Sequence, residues 1–231
     1  YASCKGNFTF DVYPGEVLGI AGLVGSGRSE LVQCLFGVDP PVSGSLLIDN
    51  KEVRIKSPID AIKHGMALVP EDRKQLGLVL EMAIKENISL PGLAITRRKT
   101  LNPKLEFQIA NEQSKTLSIK TPNLNQAVEC LSGGNQQKVA LAKWLALSPK
   151  ILILDEPTRG IDIGSKSEIY KLIRQLADNG VAVIMVSSEM EEIIGISDRV
   201  LVMHEGVLNG ELDKSELTEE KIMHLATGGV C

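Results

Sequence analysis

Residues 16–37 read EVLGIAGLVGSGRSELVQCLFG, and this stretch decides the fold. Glu16 to Gly22 is a short apolar run ending in glycine, which suits a buried strand. Gly22 to Ser29 is glycine-rich. Behind it Leu31, Val32, Leu35 and Phe36 recur at helical spacing until Gly37 stops the pattern. Strand, glycine loop and helix, in that order, are the setting in which a phosphate-binding loop works. Gly22-Leu-Val-Gly-Ser-Gly-Arg-Ser29 keeps the spacing G-x-x-x-x-G-K-[ST] except at one position, where Arg28 replaces lysine. Glycines let backbone N–H groups turn inward around phosphate oxygens, and the helix N-terminus behind them adds a positive dipole. Ser29 would place a hydroxyl on Mg2+. Taken alone, the same stretch also fits a structural turn.

Working outward, strand and helix patterns alternate. Ser45 to Asp49 and Met66 to Val69 read as strands, with Ala61–His64 a short helix between them. Ile151 to Leu154 is a near-continuous apolar strand. Gly164 to Ala177 has helical spacing at Ile169, Leu172, Ile173 and Leu176, with a polar end at Asn179-Gly180. Val181 to Val186 and Val200 to Met203 follow as strands. This alternation predicts an α/β fold with a mostly parallel sheet and helices on both faces. Residues 84–147 differ: they hold helix-forming polar residues and no clear strand, and they read as an inserted helical subdomain ending in a helix over Asn135–Leu147.

Two more features carry chemistry. Ile151-Leu-Ile-Leu-Asp155-Glu156 is an apolar strand tipped by two acids. Asp155, at the carboxyl end of a buried strand, is where Mg2+ is held beside a phosphate loop. Glu156 next to it is placed to polarise an attacking water. The two acids also fit a capping role for the helix that follows. Leu131-Ser132-Gly133-Gly134-Asn135-Gln136 precedes a helix, with Ser132 as its N-cap and two glycines allowing close backbone approach.

With the phosphate loop, the acid-tipped strand and Leu131–Gln136 together, the chain resembles the ATP-binding-cassette family over nearly its whole length. The resemblance implies a P-loop NTPase fold, with a three-layer, RecA-like, mostly parallel core, a small antiparallel β part near the N-terminus and an inserted helical subdomain. It implies one nucleotide-binding domain over 1–231, with core segments 1–83 and 148–231 and the signature-bearing subdomain at 84–147. ATP and Mg2+ are the implied cofactors. Gly22, Val24, Gly25, Ser26, Gly27, Arg28, Ser29 and Glu30 are the implied nucleotide contacts; Glu156, Ser188 and Glu71 the catalytic residues; Ser29, Asp155 and Glu71 the metal ligands. In the family two cassettes pack head to tail. The residues matching the signature, Leu131, Ser132, Gly133, Gly134, Asn135 and Gln136, would then contact a nucleotide held by the other cassette, with Asp162 in the loop crossing the interface.

Closer matches narrow the resemblance. Glu71-Asp-Arg-Lys74, Gly77-Leu-Val-Leu80, Glu86-Asn87, Asp155-Glu-Pro-Thr-Arg-Gly-Ile-Asp-Ile-Gly164 and Val186-Ser-Ser-Glu-Met190 look like the C-terminal cassette of fused two-cassette ATPases of ribose, galactose or xylose import. The implied partners are an N-terminal cassette in the same polypeptide, transmembrane permease subunits and, indirectly, a periplasmic or lipid-anchored sugar-binding protein. The implied place is the cytoplasmic face of the cell membrane. Three positions depart from the family pattern: Arg28 for lysine, Glu71 for the usual glutamine, and Ser188 for the switch histidine. All three act on this chain's own nucleotide, so its own site is expected to bind ATP and hydrolyse it slowly or not at all, although Glu156 survives. A regulatory module that only holds ATP, and a nucleoside-importer cassette, remain alternatives. Tyr1 stands near the separation at which the family stacks an aromatic residue on adenine; a frayed end is the other reading.

Bulk properties bound these readings. The 231 residues, 43% of them hydrophobic, suffice for a sizeable core. A net charge of −4 with mixed signs argues against nucleic acid as a partner, and so against cassette proteins of translation or DNA repair. Charged stretches such as Arg97-Arg98-Lys99 read as solvated loop. Cys4, Cys34, Cys130 and Cys231 are scattered, so free thiols are expected rather than a zinc site or a disulfide scaffold. No apolar run reaches the ~18 residues of a membrane helix, so any membrane link is expected to come through a partner. The abrupt start at Tyr1 reads as the edge of a fragment.

Overall fold

A computed structural model describes residues 8–39, 41, 43–96 and 102–230; Tyr1, Cys4, Arg97-Arg98-Lys99 and Cys231 lie outside the described residues. The strands are β1 (Val17–Gly22), β2 (Leu46–Ile48), β3 (Lys51–Val53), β4 (Met66–Val69), β5 (Ile151–Asp155), β6 (Ala182–Val186), β7 (Arg199–His204) and β8 (Val207–Asp213). The helices are α1 (Arg28–Leu35), α2 (Pro58–Lys63), α3 (Ile84–Thr96), α4 (Pro103–Thr116), α5 (Gly133–Leu145), α6 (Ile163–Asp178), α7 (Met190–Ile196) and α8 (Glu219–Ala226). Two compact units result. One is built from the chain up to Leu68, Lys150–Glu156 and the chain from Ile173 on; the other from Val69–Pro149 and Pro157–Leu172.

The first unit holds a sheet of order β4-β5-β6-β1-β7-β8. β1 pairs in parallel with β6 and β7, and β5 in parallel with β6, while β7 and β8 run antiparallel. β1, β4 and β6 are buried at every position. That is why they read as continuous apolar runs rather than alternating ones: both faces are covered. The chain is therefore an α/β protein with a parallel-dominated sheet. β2 and β3 form a separate hairpin, closed by Asp49 and Asn50 at φ 52° and 59°. Two positive φ values match the twist of hairpin strands, and Asp and Asn tolerate them. α8 packs on β1, β7 and β8, and its Ile222, Leu225 and Ala226 are fully or almost fully buried.

The second unit packs α3 against α4 and α5. Asn87 of α3 is fully buried. Its Nδ2 donates to the carbonyls of Val79, Met82 and Ala83, and its Oδ1 accepts from Val79 N–H at 2.8 Å. One side chain thus satisfies the incoming loop, as a buried amide must. Before it, Arg73–Gly77 forms a π-helical turn; Asp72 Oδ1 caps it by accepting from Lys74 and Gln75 N–H, each at 3.0 Å.

Several boundaries differ from those read in the sequence. α2 begins at Pro58, before Ala61, because Ser57 caps it and proline fixes the first helical φ. Asn102-Pro103 starts α4 in the same way. β3, β8, α7 and α8 were not legible as periodic runs. β8 is half-exposed along most of its length and carries a mixed sequence, VLNGELD, as an edge strand does. Among the described residues no helix is long and apolar enough to cross a membrane.

Candidate functional site

In the first unit, β1 delivers the chain to Gly22 at the end of the sheet, and α1 starts six residues later. Gly27 precedes α1 at φ 95°, a left-handed value that a side chain would oppose. No side chain caps α1. Its first-turn N–H groups have no partner within the helix, so they remain available to an anion. Val24 at the loop tip is 93% exposed, while Ser26 is buried, its carbonyl accepting from Gly206 N–H at 2.9 Å. The β7–β8 turn therefore supports the loop from behind.

Ser29 and Asp155 come together: Ser29 Oγ donates to Asp155 Oδ1 at 3.1 Å. Burial pushes the Asp155 carboxyl up from 3.8 to about 6; the neighbouring Glu156 charge adds to this, while the Ser29 hydrogen bond and Arg28 pull it down. A buried carboxylate so disfavoured gains from a cation. One hydroxyl and one carboxylate, with the remaining positions left to phosphate and water, are a donor set that suits Mg2+. Among the described residues no group of three or more His, Cys, Asp and Glu side chains could hold a metal.

Glu156 follows with φ 48°, an uncommon backbone for a non-glycine residue, and its N–H donates to Val186 carbonyl at 2.9 Å. Such conformations persist where the surroundings enforce them and gather at functional sites. Its carboxylate has two neighbours. Ser188 Oγ donates to Oε2 at 3.1 Å, and Arg28 Nη2 lies 3.7 Å from Oε1. Arg28 is itself buried, 7% exposed, and its Nη1 donates to Ser187 carbonyl. Burial lowers the Arg28 pKa, opposed by Glu156 and Asp155. Arg28 thus links the glycine loop to both Glu156 and the segment after β6. The sequence marked Arg28, Glu156 and Ser188 separately. It carried no sign of the Ser187 carbonyl, because any residue supplies one.

Glu30 is the acidic residue in the first turn of α1. Glu71 lies in the second unit, where its carboxylate pairs with the Arg159 guanidinium. In the same unit Ser132 occupies the N-cap position of α5, but its side chain caps no backbone N–H. Its hydroxyl instead accepts from Asn135 Nδ2 at 3.0 Å, because Asn135 reaches back across one turn. Asn135 Oδ1 accepts from Lys120 N–H at 2.8 Å, and Gln136 Nε2 donates to Leu131 carbonyl at 3.2 Å. A side chain on Gly134 would lie 2.6 Å from Ser165 Oγ, so α5 and α6 meet there closely. Asp162 is exposed and Oδ1 accepts from Ser165 N–H at 2.9 Å, capping α6; that backbone bond holds its carboxyl below the usual range. Arg73 and Arg159, which the sequence reading did not single out as site residues, both lie beside this turn.

The family profile described as "ABC transporter" matches residues 6–159. A ribose import ATP-binding protein, RbsA, of Bacillus cereus is 51% identical over 224 residues, covering 96% of this chain and 45% of that protein. The xylose import ATP-binding protein XylG of Thermoanaerobacter pseudethanolicus is 52% identical over 225 residues, again 96% of this chain and 45% of that protein. The chain spans about half the length of these curated relatives. Among solved structures, the cassette MJ0796, a dimer in a post-hydrolysis state with ADP and Pi, superposes with a TM-score of 0.77 at 25% identity, covering 90% of this chain and 89% of that one. The cassette MJ1267 in its ADP conformation agrees in fold, with a TM-score of 0.80 at 21% identity over 96% of this chain and 91% of that one. By the profile over most of its length and by half-identity to these relatives, the chain belongs to the ATP-binding-cassette transporter family.

Proposed function

We propose that this chain is an ATP-binding half of a sugar importer, whose own site holds MgATP and turns it over slowly while its signature turn completes a site on another cassette. Half-identity to ribose and xylose import proteins over nearly all of this chain supports the sugar branch over a nucleoside importer. The proposed partners are an N-terminal cassette of the same polypeptide, permease subunits at the cytoplasmic membrane face and, through them, a sugar-binding protein. The whole described span works as one nucleotide-binding domain, with residues 84–147 as its signature-bearing subdomain.

The loop from Gly22 to Gly27 and the first turn of α1 bind the phosphates. Ser29 and Asp155 hold Mg2+, which when bound neutralises charge on the phosphate oxygens. Glu156 is the group that accepts a proton from the attacking water. The observation that carries the slow-site reading is the Arg28 contact: the guanidinium is committed to Ser187 carbonyl and Glu156. A carboxylate whose two oxygens already face the Ser188 hydroxyl and a guanidinium has less room to take up an attacking water. A lysine ammonium, compact and free to turn, would not make this forked bridge.

The same contact favours a second reading, a module that holds ATP without hydrolysing it. Single-turnover recovery of the nucleotide separates the two, as ADP in the first case and intact ATP in the second. The wider proposal is tested by Ser132→Arg in the full-length polypeptide: ATP turnover is expected to be lost, and unchanged turnover sinks the signature role. An isolated chain that hydrolyses several ATP per second or more sinks the slow-site reading.

A further inference from the structure

Arg73 opens the π-helical turn of the second unit and is 8% exposed. Its guanidinium is used unusually for a buried cation. Nη1 donates to Arg159 carbonyl at 2.6 Å and Nη2 to Gly160 carbonyl at 3.2 Å, so the fork spans two consecutive backbone oxygens. Its Nε is buried with no hydrogen-bond partner. A side chain on Gly133 would lie 3.1 Å from Arg73 Nη2 and 3.1 Å from Gly160 carbonyl, so the glycine lets the first turn of α5 rest directly on this bridge. From the other side, the Glu71 carboxylate pairs with Arg159. Residues 71 and 73 thus grip the 159–160 turn through both its side chain and its backbone.

What the grip holds is a helix end built for an anion. α5 has thirteen residues and no side-chain cap, since the Ser132 hydroxyl is taken by Asn135. Its first N–H groups are therefore left to a ligand. The Arg73 hydrogen bonds go to carbonyls rather than to a carboxylate, so its charge adds to the positive end of the helix dipole. A buried guanidinium whose Nη2 lies beside an uncapped helix end favours a strongly anionic group there.

We propose that Arg73 is a positioning residue for the reaction at the composite site: it fixes the 159–160 turn against the first turn of α5 and places a permanent positive charge behind the helix end that meets the terminal phosphate of a nucleotide held by another cassette. This rests on the reading that residues 131–136 serve such a nucleotide. Lysine cannot replace it, because a single ammonium cannot span both carbonyls in one plane.

The test uses the full-length polypeptide with Arg73→Met, Arg73→Lys and Ser132→Arg, measuring kcat and KM for ATP together with the melting temperature. Arg73→Met is expected to lower kcat about tenfold or more while KM stays within about twofold, because misplacement affects the reacting geometry more than ground-state binding. Arg73→Lys is expected to recover only a small part of kcat despite keeping the charge. A folded Arg73→Met protein with wild-type kcat, while Ser132→Arg abolishes turnover, overturns the proposal and leaves the paired-cassette reading standing. Unchanged turnover in Ser132→Arg overturns both. If Arg73→Met does not fold, Arg73→Lys decides: wild-type kcat overturns the proposal, and lowered kcat at unchanged KM and melting temperature supports it.

Discussion

Asp155 sits at the end of β5 with its carboxylate against Ser29 and almost no exposure. Its pKa rises from 3.8 to about 6, chiefly through burial. Between those values the folded chain keeps a proton that the unfolded chain has lost. Stability from this group therefore falls as pH rises through that window, and the deficit is complete above about 6. Asp155→Asn removes the deficit. At neutral pH and without Mg2+ the variant should be more stable than the parent by about 1–3 kcal/mol. Near the pH where Asp155 is protonated the two should melt together. The variant should also lose the Mg2+ dependence of nucleotide binding. Thermal unfolding at both pH values checks the first part, and identical melting at neutral pH would count against a raised carboxyl. Arg28 illustrates the same scale differently. Its identity was plain in the sequence, but its partners were not, since a long side chain can point in several directions and only the fold selects one.

At the scale of elements, the strands that build the floor of the site were legible because burial on both faces leaves them uniformly apolar. The helices that begin with Ser57-Pro58 and Asn102-Pro103 carry a local signal as well, a polar cap followed by a proline. The loop before α3 has no such signal. It depends on Asn87, whose amide meets one N–H and three carbonyls inside the helical unit. Replacing it by alanine leaves those groups buried and unmatched. Asn87→Ala is expected to destabilise the chain by about 2–4 kcal/mol, read as a lower urea midpoint. A change under about 0.5 kcal/mol, the range of surface substitutions, would show that water replaces the amide without loss. The π-helical turn forms where no periodicity predicts it: Asp72 caps it from within its own sequence, and Arg73, its first residue, anchors it to the distant 159–160 turn.

For the whole molecule, the proposed asymmetry between two cassettes sets an expectation that no single site can test. In the full-length polypeptide, Glu156→Gln should lower ATP turnover by less than about twofold, whereas Ser132→Arg should remove most of it, because the second acts on the faster site. Comparable losses in the two variants would show that both sites work equally. What the sequence determined by itself was local structure tied to spacing: the glycine loop ahead of a helix, the acid-tipped apolar strand and the serine–glycine turn before α5. Local spacing is enough there because glycine conformations, dipoles and strand burial act over a few residues. Only the tertiary structure decided which groups answer one another across long separations. Arg28 finds the Ser187 carbonyl and Glu156, Glu71 is held by Arg159, and Arg73 bridges the carbonyls of Arg159 and Gly160 beneath Gly133. Several of those partners are backbone oxygens, which every residue carries. No pattern of side chains could have announced them, and only the close packing of particular turns brings them within reach of a guanidinium.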